Sequence, residues 1–216
     1  MNKKNVIISV IVTILIVSSM AIGAAVNIST KKFDKDSAVK FGKTMKNYNE
    51  KKDSKVVAKV NDIKIYEKDI QKRRDINKIS KKTQTDKEII LDIARTQLLL
   101  NEAKNRGIDV SEDEARTYAK KEKEMIYKNP ETKETLIAYI NALGLTEDEY
   151  WNNYTIKEIQ KMLTISALNR QIADEILAGS DIPINEKAKK QREIIDNFKS
   201  EIVKNAKIEI LEEQYK

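Results

Sequence analysis

The feature that most constrains this chain is Val6 to Val26, VIISVIVTILIVSSMAIGAAV, 21 residues without a charge. At about 1.5 Å per residue, a helix of that length crosses a hydrocarbon core of about 30 Å. Lys3 and Lys4 precede it, as in an export signal or signal anchor. Gly23, Ala24 and Ala25 offer a small-residue cleavage site, so a retained anchor and a cleaved signal peptide both stay open over residues 1–26. With no cysteine to acylate, lipid anchoring is excluded. The lysines following the run oppose the positive-inside rule. Long domains are translocated largely regardless of charge, and Asn27 to Thr30 is uncharged, which puts the remainder on the extracytoplasmic side of a cell membrane, or free outside it if the signal is cleaved.

Beyond the apolar run there is chain enough for one domain. The 216 residues carry a net charge of +7, unevenly spread. Residues 27–55 hold nine lysines against four acids, whereas residues 56–216 hold 30 bases and 30 acids. A balanced folded part argues against nucleic acid as a partner. Residues 27–55 read as a basic flexible linker without sustained helical period, and lysines from Lys31 to Lys55 suit anionic lipid or a wall polymer. The absence of both histidine and cysteine removes thiol and imidazole catalysis and the usual zinc sites. No phosphate loop, nucleophile elbow or calcium-loop spacing occurs, and no cofactor is implied.

Residues 56–216 read as mainly α with a small β-sheet. Val56 to Ile65 is β-type on both sides of Asn61-Asp62, a hairpin signal, and KIEIL at 207–211 is a closing strand whose obvious partner is VVAKV. Helices are expected at 67–79, 86–106, 112–128, 131–143, 147–178 and 186–206. Gly107 and Gly144 stop two of them, and Ser111/Glu114 and Thr146/Glu149 form capping boxes. The acidic runs at 112–114 and 147–149 lie in first helical turns, where carboxylates complement the helix dipole, so they read as caps and not as metal ligands.

The segments VAKVNDIKIYEKDI (57–70), NRGIDVSEDEA (105–115), LGLTEDEYWNNY (143–154) and NAKIEIL (205–211), in that order, resemble the N-terminal chaperone domain of the SurA/PrsA extracytoplasmic foldases, relatives of the trigger-factor substrate-binding domain. Asp62 stands where that family's turn has glycine. The resemblance implies a multi-helix domain whose last strand returns to the N-terminal hairpin, and an ATP-independent chaperone for unfolded or exported polypeptides. Family members often carry a parvulin prolyl isomerase domain before the final helix. Here that place, Gly179 to Asn185, is too short for a domain, so isomerase activity is not implied.

A holdase needs adaptable apolar contact area, for which methionine and aromatic side chains are suited. The candidates for peptide binding are Met125, Tyr127, Tyr139, Tyr150, Trp151, Tyr154 and Met162, and the competing role for each is core packing. Ile156, Ile159, Leu163 and Ile165 add apolar area to more than one face of the long helix, which a client or a dimer partner would cover. A dedicated adaptor for one membrane or envelope partner is the alternative function.

Overall fold

A computed structural model describes residues 34–51, 55–179 and 183–215. The apolar run at 6–26 and the residues up to 33 lie outside the described residues.

Three short strands make the sheet. β1 (Val56–Val60) pairs antiparallel with β2 (Ile63–Tyr66) on one side and with β3 (Ile208–Ile210) on the other, giving the order β2-β1-β3. The return of the chain end is as expected: Ala58 faces Ile210 and Val60 faces Ile208. At the hairpin turn only Asn61 takes positive φ (51°), a conformation asparagine tolerates better than most residues. Its backbone N–H donates to the Lys207 carbonyl at 2.8 Å, and its side-chain oxygen accepts from the Lys207 N–H at 3.0 Å. One residue thus turns the hairpin and aligns the closing strand. The register slips between Val56 and Ala58, so Val57 is extra against β2, and its carbonyl accepts from Leu211.

Among the described residues eight α-helices accompany the sheet. In chain order they are α1 (Lys35–Asn49), α2 (Glu67–Ser80), α3 (Asp86–Asn105), α4 (Glu112–Tyr127), α5 (Pro130–Leu143), α6 (Glu147–Glu149), α7 (Ile156–Leu177) and α8 (Ile184–Lys204). Both expected capping boxes form, at Ser111 and at Thr146, and Thr85/Glu88 makes a third. Gly107 and Gly144 take positive φ at the ends of α3 and α5.

Helix α1 corrects the expected linker. Asp34 caps it by accepting from the Ser37 N–H at 2.8 Å, and Ala38, Phe41, Gly42 and Met45 are buried. Their spacing is helical and the lysines fall on another arc, so the amphipathic pattern was present in the sequence. The smallness of Gly42 matters because α1 lies against α5. A methyl group on Gly42 would sit 2.7 Å from both the Ala142 Cβ and the Tyr139 carbonyl oxygen. The folded body therefore includes residues 34–49 as well as those from 56 onward.

The second correction concerns the long helix expected at 147–178. It is broken by a π-helical turn, Tyr150–Tyr154, between α6 and α7. The Thr155 N–H reaches back five residues to the Tyr150 carbonyl at 3.0 Å.

Three apolar clusters fill the molecule. The sheet, Ile70 of α2, one face of α3 and Tyr215 form the first. Helices α1, α4 and α5, the π turn and the start of α7 form the second, which Ile76 of α2 joins. Leu99 and Ala103 of α3, the later part of α7 and Ile194 of α8 form the third. Helices α2 and α3 each contribute to two clusters, which ties the sheet to the helical body.

Candidate functional site

The structure gathers most of the expected aromatic residues, and it puts them inside. Tyr139, Tyr150 and Trp151 are buried. Tyr150 is the hub: its ring lies 5.9 Å from Tyr139, 5.2 Å from Trp151 and 5.8 Å from Tyr154, the first two edge-on and the last stacked. Such pairs contribute about 0.5–1.5 kcal/mol beyond the area they bury. Tyr127, Tyr154 and Met162 are partly buried and pack against this cluster. Met125 stands apart, 47% exposed. These seven residues therefore form no open apolar cradle. Burial pushes the Tyr150 phenol far above its ordinary range.

Of the seven, Trp151 lines a groove on the described surface. The π turn lays Trp151 and Asn152 against α4, leaving a groove of about 460 Å³ between them. Ala119 helps to line it, and Arg116, Lys120 and Lys123 supply three cations against the single carboxylate of Glu124. Arg116 holds the turn: its Nη1 donates to the Asn152 carbonyl at 2.7 Å while Glu112 grips the same guanidinium. Lys123 continues toward Tyr127, with its Nζ 5.5 Å from that ring's centre, and Lys133 of α5 approaches the same ring at 4.9 Å. Tyr127 donates its hydroxyl proton to Glu147. Burial first, and this carboxylate second, push the Tyr127 phenol up to about 12. The ring under the two lysines thus stays neutral across the physiological range.

The residues 116, 120, 123 and 127 follow helical spacing on α4, so the basic edge was available to sequence reading. What the sequence hides is the π turn, which brings Trp151 beside that edge. A second groove, about 500 Å³, lies between the end of α3 and α7. Lys104, Lys157 and Lys161 border it against Asp109, and Gln160 ties the α3–α4 connection to α7 by donating to the Val110 carbonyl at 2.7 Å.

The acidic runs are caps. Glu114 and Glu149 each accept from the backbone N–H three residues earlier, at 2.9 and 2.8 Å, and those bonds hold both carboxyls below their ordinary range. Among the described residues no group of three or more acidic, histidine or cysteine side chains is arranged to hold a metal. Comparison of the chain with protein-family models, with curated proteins and with solved structures returns no match.

Proposed function

We propose that this protein is a membrane-tethered, extracytoplasmic polypeptide-holding module of the chaperone type, acting without ATP and without prolyl isomerisation. The observation that carries the reading is the groove between α4 and the π turn. It has the edge of a tryptophan in its wall and three cations around it. The side-chain stems of Lys120 and Lys123, with the small part of Trp151 left uncovered, supply apolar contact, and the cations favour segments that carry acidic residues. Motif order along residues 57–211, with its resemblance to the SurA/PrsA chaperone domain, points the same way.

Trp151 is the one tryptophan in the sequence, so its fluorescence reports on the groove directly. The full chain, titrated with a permanently unfolded acidic client, shifts its emission and slows the aggregation of several unrelated clients. The double substitution K120E/K123E, on exposed or half-buried positions, weakens both effects while the folded state persists. Unchanged emission together with no protection of any client would sink the proposal.

One observation favours a second reading, an adaptor for a single partner. Among the described residues only Met125, Ile176 and Leu211 are large apolar side chains standing well exposed. A general holdase needs more apolar area than that. Capture of one stoichiometric envelope partner, with no broad protection against aggregation, selects the adaptor.

A further inference from the structure

Helix α1 presents four lysines, Lys35, Lys40, Lys43 and Lys46, all exposed, and none of them forms an ion pair among the described residues. At about 100° per residue they occupy one arc of about 140° beside the stripe of Ala38, Phe41, Gly42 and Met45 that packs on the body, with Lys46 at the edge reaching over Gly144 at the end of α5. Many lysines elsewhere have acidic partners: Lys55 with Glu212, Lys161 with Glu158, Lys190 with Glu193. The charge distribution agrees, since residues 56–216 balance at 30 against 30 and the excess of the exported part lies in residues 27–55.

Position along the chain says what this face meets. Val26, the last residue of the apolar run, and Asp34, the cap of α1, are eight residue steps apart. Even fully extended, those steps span at most about 29 Å. The α1 lysines are thus not spread along a long stalk; they are fixed to a folded body held close to the bilayer, with Lys31 and Lys32 in the intervening sequence. We propose that the exposed face of α1 docks on anionic lipid headgroups and sets the orientation of the domain on the membrane. The inference rests on the membrane tether of the proposed function. Each lysine near such a surface gains attraction that decays within a Debye length, so the rigid spacing on one helix face makes the contact directional as well as attractive.

The cysteine-free sequence makes the test clean, because one introduced cysteine takes one label. The full chain carrying N47C, an exposed neutral position on the lysine face, is spin-labelled and placed in nanodiscs containing a nickel-chelating headgroup lipid. The discs are either neutral or rich in phosphatidylglycerol, and N197C on α8 is the control. The expected result is relaxation of the residue-47 label several-fold stronger in anionic discs, with residue 197 little changed. The effect disappears in about 1 M salt, where the Debye length is about 3 Å. It also disappears when all four lysines are replaced by glutamine, with the helical circular dichroism retained. Equal relaxation in neutral and anionic discs, or persistence in the glutamine variant, overturns the docking face while leaving the tether intact. A chain that does not enter discs at all overturns the tether instead. In that case the labelled chain is added to preformed vesicles, and salt-insensitive or absent binding to the anionic ones overturns the docking face as well.

Discussion

The carbonyl oxygen of Tyr150 accepts twice from Thr155, from its backbone N–H at 3.0 Å and from its hydroxyl at 3.1 Å. One buried threonine therefore closes the wide turn that carries Trp151 to the groove. T155V keeps shape and removes one donor, leaving the backbone bond in place. The expected cost is about 1 kcal/mol, a loss of a few degrees in Tm by thermal denaturation, with a changed Trp151 emission. An unaltered Tm would mean the hydroxyl contributes nothing to the turn.

Gly42 gives a sharper prediction, because it separates a docked α1 from a free linker. G42A adds a methyl group that would press on the Ala142 Cβ and the Tyr139 carbonyl, both 2.7 Å away on a neighbouring helix. Overpacking of this kind costs about 1–3 kcal/mol, which outweighs alanine's better helix propensity of about 1 kcal/mol. Urea denaturation of the variant reads the balance. A stabilised G42A protein is the outcome that contradicts docking.

Arg73 is wholly buried in α2, and none of its three guanidinium nitrogens has a hydrogen-bond partner among the described residues. Burial pulls it down to about 10, while the nearby Asp92 carboxylate pulls it up by less. Asp92 is occupied by Gln84 and Arg95, each donating to it at 2.7 Å. Removing an unpaired buried cation in favour of an apolar side chain of similar length is thus expected to be neutral or stabilising, by about 1–4 kcal/mol. R73M tests this in chemical denaturation, and a loss of several kcal/mol would reveal a partner for the guanidinium.

Glu122, buried on α4 beside Tyr118, brings a pH dependence. Burial raises its carboxyl above the ordinary 4.5, and the Tyr118 hydroxyl offsets part of that rise. The folded state consequently holds this proton to higher pH than the unfolded chain does. Between 4.5 and the raised folded value folding takes up a proton, so this residue's contribution to stability falls as pH rises through that window and then levels off. E122Q should be more stable than the parent at neutral pH, with the difference closing below 4.5. A pH-independent difference between the two proteins contradicts the assignment.

Much of the fold was legible from local chemistry. Ser111 with Glu114 and Thr146 with Glu149 mark helix starts because the side chains that satisfy orphan N–H groups lie three residues apart in sequence. The pairing of VVAKV with the closing strand was legible because the β-branched residues of 56–60 and 208–210 required a common sheet. Helix α1 was not, since its many lysines gave it the composition of a linker although its apolar residues keep a helical stripe. Nor was the π turn: its extra residue is accommodated by the packing of Tyr150 and Trp151, a tertiary circumstance with no local signature. For the candidate site, residue type alone left each aromatic open to a core or a surface role. The structure resolves Tyr139 and Tyr150 to the core and leaves the edge of Trp151 beside cations whose helical spacing the sequence did contain.

The pairing of Ala58 with Ile210 also sets a clock. A chain made from its N-terminal end delivers β1 and β2 early, but their third strand comes only at Ile208, after all eight described helices. Until then Val57, Val60 and Ile65 wait without Ile208, Ile210 and Tyr215, and the first apolar cluster stays incomplete. Long-range strand pairing of this kind defers closure of the sheet until the helices between its strands have been made. Helices α4 and α5 can meet as soon as they emerge, so the aromatic body consolidates before the sheet does. The domain as a whole therefore locks only after its helical body has formed.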